Sequence, residues 1–281
     1  MAAQEVLPGQ PSDLSAILAN PAQLEALLRP PLDPIPPFEL VRYLRDNIEP
    51  GRIDWWYKVI DRLLQNRTAM PILAGSPDYP ERLARCWDAP PVLFATAAIP
   101  PGPAVAVVGS RETTPQVLAD TRALAADLAA AGVVVVSGLA AGVDSAAHRG
   151  ALESAGHTIA VMGTGITHVY PPQNTDLAEQ IRRHGVLVSQ FAPHAPRTRT
   201  TFLRRNHVIA GLSDISVVMD GQQRSGSRHE VEQAITYGRP VLMWAPALTC
   251  QRWARQLEAA GSATFVNSGA EILATLREAQ H

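Results

Sequence analysis

Residues 104–148 read AVAVVGSRETTPQVLADTRALAADLAAAGVVVVSGLAAGVDSAAH. Two apolar runs of β type each end in a glycine turn, and each turn runs into a helical pattern. The first turn is Gly109-Ser110-Arg111. The second spans residues 137–142, Ser-Gly-Leu-Ala-Ala-Gly, with Asp144 just beyond it. The start of a helix exposes free N–H groups and partial positive charge, and small residues let an anion approach them. In a parallel sheet both turns lie at one edge and can share a phosphate-bearing ligand, either a nucleotide or a nucleic-acid backbone.

The same alternation continues outward. Strands are expected at 104–108, 133–136, 158–162, 186–189, 215–219, 241–245 and 263–266. Helices are expected at 115–131, 144–155, 174–184, 204–212, 228–237, 249–260 and 268–278. Continuous apolar strands separated by helices define an α/β fold, a Rossmann-like parallel-rich sheet with helices on both faces.

Upstream the pattern changes. Residues 1–37 are proline-rich, with one short amphipathic piece at 22–28, and read as a partly ordered arm. Residues 38–70 hold two helical patterns split by Pro50-Gly51. The predicted organisation is an arm with a small helical unit over 1–70, an extended entry segment over 71–103, and the main domain over 104–281.

The bulk numbers narrow the partners. The chain has 281 residues, 46% hydrophobic, with net charge −2, so any nucleic-acid contact must come from local charge. Of 24 basic residues only Lys58 is lysine, which makes arginine the default phosphate ligand. Two distant cysteines, Cys86 and Cys250, fit a reducing cytoplasm. Residues 1–14 lack the apolar core of a signal peptide, and no apolar run approaches a membrane span. No metal-ligand spacing occurs among the eight histidines, and no cofactor is expected.

Residues 197–206, RTRTTFLRRN, hold four arginines around one phenylalanine. Such a run is commonly a solvated face. Here it follows a strand at the ligand edge, where arginine for phosphate and an aromatic ring for base stacking suit a single strand. Candidate nucleic-acid contacts are Gly109, Ser110, Arg111, Ser137, Gly138, Arg197, Arg199, Phe202, Arg204, Arg205, Asn206, Ser225 and Gly226. Asp144 can be read as a helix cap, Asn174 as a cap of the next helix, and His148 as a packed or exposed histidine.

Together, SPDYPERLARCWDAPPVLF, VAVVGSR, SGLAAGVDSAAHRGAL, TIAVMGTGITHVYPPQN, FLRRNHVIAGLSD and SGS resemble the DNA-processing protein A (DprA/Smf) family over roughly residues 76–245. The resemblance implies an extended Rossmann-like fold, single-stranded DNA binding, a homodimer, and help in loading RecA during natural transformation, without catalysis. It implies that Arg111 and Arg199 hold phosphates and that Phe202 stacks on a base. Ser137, Gly138, Asn206 and Gly226 would shape the pocket. The winged helix that often follows is not expected here.

One departure follows SGS. The family usually has an apolar, threonine- or alanine-containing helix start, whereas this chain has Arg228-His229-Glu230. Glu230 occupies the place of the glutamate in the turn of the lysine-decarboxylase-like (LOG) phosphoribohydrolases. The alternative expectation is therefore a free-nucleotide sensor or hydrolase, with Glu230 on a ribose hydroxyl or at the glycosidic bond. A regulatory partner that senses DNA in a defence or stress system is a third.

Overall fold

The structure is a computed structural model and describes residues 1–8, 11–28, 38–222 and 226–279. Two compact units are present, Met1–Thr96 and Ala97–His281.

The first unit opens with five helices: α1 (Ala2–Val6), α2 (Pro11–Ala19), α3 (Pro21–Leu28), α4 (Glu39–Asn47) and α5 (Pro50–Gln65). Residues 1–8 and 11–28, expected as part of a partly ordered arm, are therefore largely helical. The prolines mislead because Pro11, Pro21 and Pro50 open their helices. There the missing N–H would have had no partner anyway. Leu14, Ile17, Ala26, Val41 and Leu44 form the core of these helices. The segment read as an extended entry is a hairpin with a short helix inside it. β1 (Met70–Leu73) pairs antiparallel with β2 (Val92–Ala95), and α6 (Glu81–Ala84) lies between them. The Tyr79 hydroxyl donates to the Pro90 carbonyl at 2.6 Å.

The second unit alternates as expected: β3 (Ala104–Val108), α7 (Pro115–Ala130), β4 (Val134–Ser137), α8 (Val143–Glu153), β5 (Thr158–Val161), α9 (Thr175–His184), β6 (Val186–Ser189), α10 (Arg199–Leu212), β7 (Ile215–Val218), α11 (Gly226–Thr236), β8 (Val241–Trp244), α12 (Ala245–Leu248), α13 (Arg252–Ala259), β9 (Thr264–Val266) and α14 (Gly269–Glu278). Within it the strand order is β6-β5-β4-β3-β7-β8-β9, and every pairing is parallel. The chain starts in the middle, winds outward to β6, then crosses back to β7. The order therefore reverses between β3 and β7, and a crevice for ligands opens at such a reversal.

Both faces of this sheet are covered. Val105, Val107, Val135, Ile215 and Val217 pack with Leu124 and Leu128 of α7, Ala147 of α8 and Ile272 of α14. Their neighbours of opposite register, Ala106, Val134, Val136 and Ser216, are buried as well. Among the described residues, no helix is long and apolar enough to cross a membrane.

Candidate nucleic-acid interface

The two glycine turns quoted at the outset lie against each other. Val143 N–H donates to the Ser110 carbonyl at 3.2 Å. Gly142 has φ +77°, and a Cβ there would fall 2.3 Å from the Ser110 oxygen. Only glycine combines that left-handed backbone with so close an approach. Gly109 likewise has no room for a side chain, since a Cβ would lie 2.5 Å from a Val143 methyl.

Asp144 is not the cap that its position suggested. α8 begins at Val143 with Gly142 at the N-cap position, so Asp144 stands inside the first turn. It is buried, and Oδ2 accepts from Ala140 N–H at 3.3 Å. Burial raises its pKa, opposed chiefly by the Arg205 charge and the Ala140 hydrogen bond. Asn174 stands at the N-cap position of α9, but its side chain turns away. Its Nδ2 donates to the Leu139 carbonyl and to Ser145 Oγ, each at 2.9 Å, and so ties the second turn down. His148 is fully buried, with Nδ1 2.7 Å from Thr158 Oγ1, whose hydroxyl donates to Val135 O. With that proton committed, Nδ1 must be the donor. Desolvation, followed by the Arg205 charge, lowers its pKa to about 3, so the ring is neutral.

The arginine–phenylalanine run enters a helix earlier than 204. Thr198 Oγ1 accepts from Thr201 N–H at 3.0 Å, and Thr201 Oγ1 accepts from Thr198 N–H at 3.1 Å, a reciprocal capping box that starts α10 at Arg199. Helical spacing then sets Arg199, Phe202 and Asn206 on one face. That face forms one wall of a cleft of about 720 Å³, whose other lining includes Gly109, Ser110, Arg111, Asp144, Tyr170, Arg197, Arg205, Gly226 and Glu230.

Inside the cleft the aromatic rings and guanidinium groups interleave. The Arg111 guanidinium carbon is 5.3 Å from the Phe202 ring centroid, and that of Arg197 is 4.6 Å from the Tyr170 centroid. Tyr170 meets Phe202 edge to face at 5.6 Å. Gly163 gives the Phe202 ring its seat, since a Cβ there would touch the ring at 3.0 Å. Arg111, Arg197 and Arg199 are exposed. Positive charge with aromatic surface therefore lines the open side of the cleft.

Arg205 is placed differently from those three. It is 5% exposed, and Nη1 donates to the carbonyls of Val161 (2.6 Å) and Gly138. A Cβ on Gly138 would fall 2.0 Å from that nitrogen, so Gly138 makes room for the guanidinium. Ser137 is buried and donates to Val107 O at 2.6 Å. Neither Ser137 nor Gly138 lines the cleft; both support it from below. Arg204 is exposed outside the lining. Asn206 Nδ2 donates to the Gly226 carbonyl at 3.0 Å, which links α10 to the start of α11. Ser225 lies outside the described residues.

Glu230, on the first turns of α11, is 1% exposed. Ser216 Oγ donates to its Oε1 at 2.7 Å. Burial raises its pKa to about 7, opposed mainly by that hydrogen bond. Sequence reasoning missed Tyr170. The signal was an aromatic residue in the loop after β5, at the ligand edge, but the following prolines drew the reading toward loop structure alone. Among the described residues no group of His, Cys, Asp or Glu could hold a metal ion.

A doubly wound parallel sheet with a basic, aromatic-lined cleft at its reversal point places this chain among the Rossmann-like α/β proteins. The family model for DNA recombination-mediator protein A matches residues 71–279, and the chain belongs to that family. It is 33% identical over 199 residues to DNA processing protein DprA of Bacillus subtilis, covering 68% of this chain and 66% of that one. It is 34% identical over 215 residues to Protein Smf of Synechocystis, covering 74% and 52%. The X-ray structure of DprA from Streptococcus pneumoniae superposes with TM-score 0.71 at 27% identity, over 98% of this chain and 97% of that one. The structure describing the single-stranded DNA binding mode of DNA processing protein A from Helicobacter pylori gives TM-score 0.64 at 26% identity, over 72% and 94%. The chain spans about half to two thirds of the length of the curated relatives it matches.

Proposed function

We propose that this chain binds single-stranded DNA in the cleft between β3 and β7 and serves DNA processing as a binder, not a catalyst. The observation that carries the reading is the exposed trio Arg111, Arg197 and Arg199 set around the Phe202 and Tyr170 rings. Arginines grip successive phosphates, and a ring offers a stacking face to any base. Family membership and the DNA-binding relative from Helicobacter pylori support it. Loading of RecA, a role in transformation, work in the cytoplasm and a homodimer through the apolar 215–245 region complete the proposal. Light scattering at micromolar concentration tests the dimer, and a monomer mass removes it.

Titration of an oligo(dT) strand against salt tests the binding. Contacts to three phosphates give a log–log slope of about −2. Affinity that does not depend on salt, or that is unchanged in Arg199→Ala, overturns the site. A second reading, a free nucleotide acted on through Glu230, draws on the buried carboxyl at the cleft. It requires free adenine to appear on incubation with AMP, and no release rejects hydrolysis.

A further inference from the structure

The rim of the cleft is basic, while its buried lining holds two acids, Glu230 and Asp144, beside Arg205. Glu230 lines the floor at 1% exposure. One carboxyl oxygen accepts from Ser216 on β7, while the other, Oε2, is buried without a hydrogen-bond partner. Buried carboxyl oxygens are nearly always satisfied, so an unpaired one on a residue that lines a cleft is set to receive a donor. The charged groups acting on it are Asp144 from α8 and Arg205 from α10. Arg205 turns Nη1 to the Gly138 and Val161 carbonyls and Nε to Asn206 Oδ1, not to Glu230. Asp144 adds a second acid. A phosphodiester has no donor to offer this oxygen, whereas a group with N–H donors fits it.

Resting on the single-stranded DNA reading, the chemistry of the strand selects the donor. Deoxyribose has no 2′-hydroxyl, and its 3′-oxygen is esterified within a strand, so the donors left are on base edges. Guanine alone presents two adjacent donors, its ring N–H and its amino group. The single ring N–H of thymine is flanked by two carbonyls that oppose a carboxylate. We propose that Glu230 is a base-reading residue: it accepts from the donor edge of a guanine lowered to the cleft floor, while Arg111 and Arg199 hold the flanking phosphates. An acid in the first turns of α11 thus turns a strand-binding cleft into one with a base preference.

Fluorescence anisotropy on the full chain tests this, with an all-dT oligonucleotide and the same strand carrying one central dG. At pH 8, where Glu230 is ionised, the dG strand binds about fivefold or more tighter. The preference shrinks as the pH falls to 6 and the carboxyl gains its proton. In Glu230→Gln it is reduced and no longer varies with pH. Equal affinities of the wild type for both strands at pH 8 overturn the inference. So does a dG preference that is independent of pH and kept in Glu230→Gln, since guanine is then read elsewhere. If neither strand binds, the single-stranded DNA reading fails first and this inference falls with it.

Discussion

Arg199 and Arg205 sit six positions apart in one run, yet the structure gives them opposite surroundings. Arg199 is exposed on the cleft wall. Arg205 is buried and tethers two strand-end carbonyls across β4 and β5. Arg205→Ala leaves those carbonyls without their donor inside the protein, at a cost of about 2–3 kcal/mol in urea unfolding. Arg199→Ala stays within about 0.5 kcal/mol of the wild type in stability and weakens oligo(dT) binding. An Arg205→Ala protein that unfolds like the wild type removes the tether. The run RTRTTFLRRN makes the number of cations legible but not their directions, because direction depends on where the helix begins.

That beginning belongs to the element scale. The interior of β3 was legible to the residue, because five apolar residues end at a glycine, and β6 was equally clear from VLVS after a helix. The sequence pattern places the start of α10 at 204, five residues late. Its first turn carries arginines and threonines with no apolar period, and the box uses Thr at the third position where Glu or Gln is the usual signal. The prolines of the first unit hid helices by the converse error. The cap predicts its own test. Thr198→Ala removes the acceptor for Thr201 N–H and destabilises the protein by about 1 kcal/mol, read as a lowered urea midpoint. Arg199 and Phe202 ride on that first turn, so the same variant also loses affinity for oligo(dT). An intact affinity means that the turn is held by its packing rather than by its cap.

At the scale of the whole molecule, two buried groups in the second unit pull its stability in opposite directions with pH. Glu230 rises from 4.5 unfolded to about 7 folded, so the folded state holds the extra proton between those values. Its contribution is full below about 4.5 and is lost as the pH rises through 7. His148 falls from 6.5 to about 3, so the unfolded state holds the extra proton there. Its contribution is full above 6.5 and is lost as the pH drops toward 3. Between 4.5 and 6.5 the two slopes offset each other, and neither was readable in sequence, since both depend on burial and on partners such as Ser216 and Thr158. Glu230→Gln separates them. The variant keeps the His148 slope, and Asp144, whose carboxyl is raised in the same sense by burial, stays in both proteins. Urea unfolding at pH 5 and pH 8 then shows the wild type losing about 2–3 kcal/mol relative to Glu230→Gln across that interval. Parallel pH profiles for the two proteins mean that Glu230 is ionised in the folded state throughout, with its open oxygen solvated rather than waiting for a base.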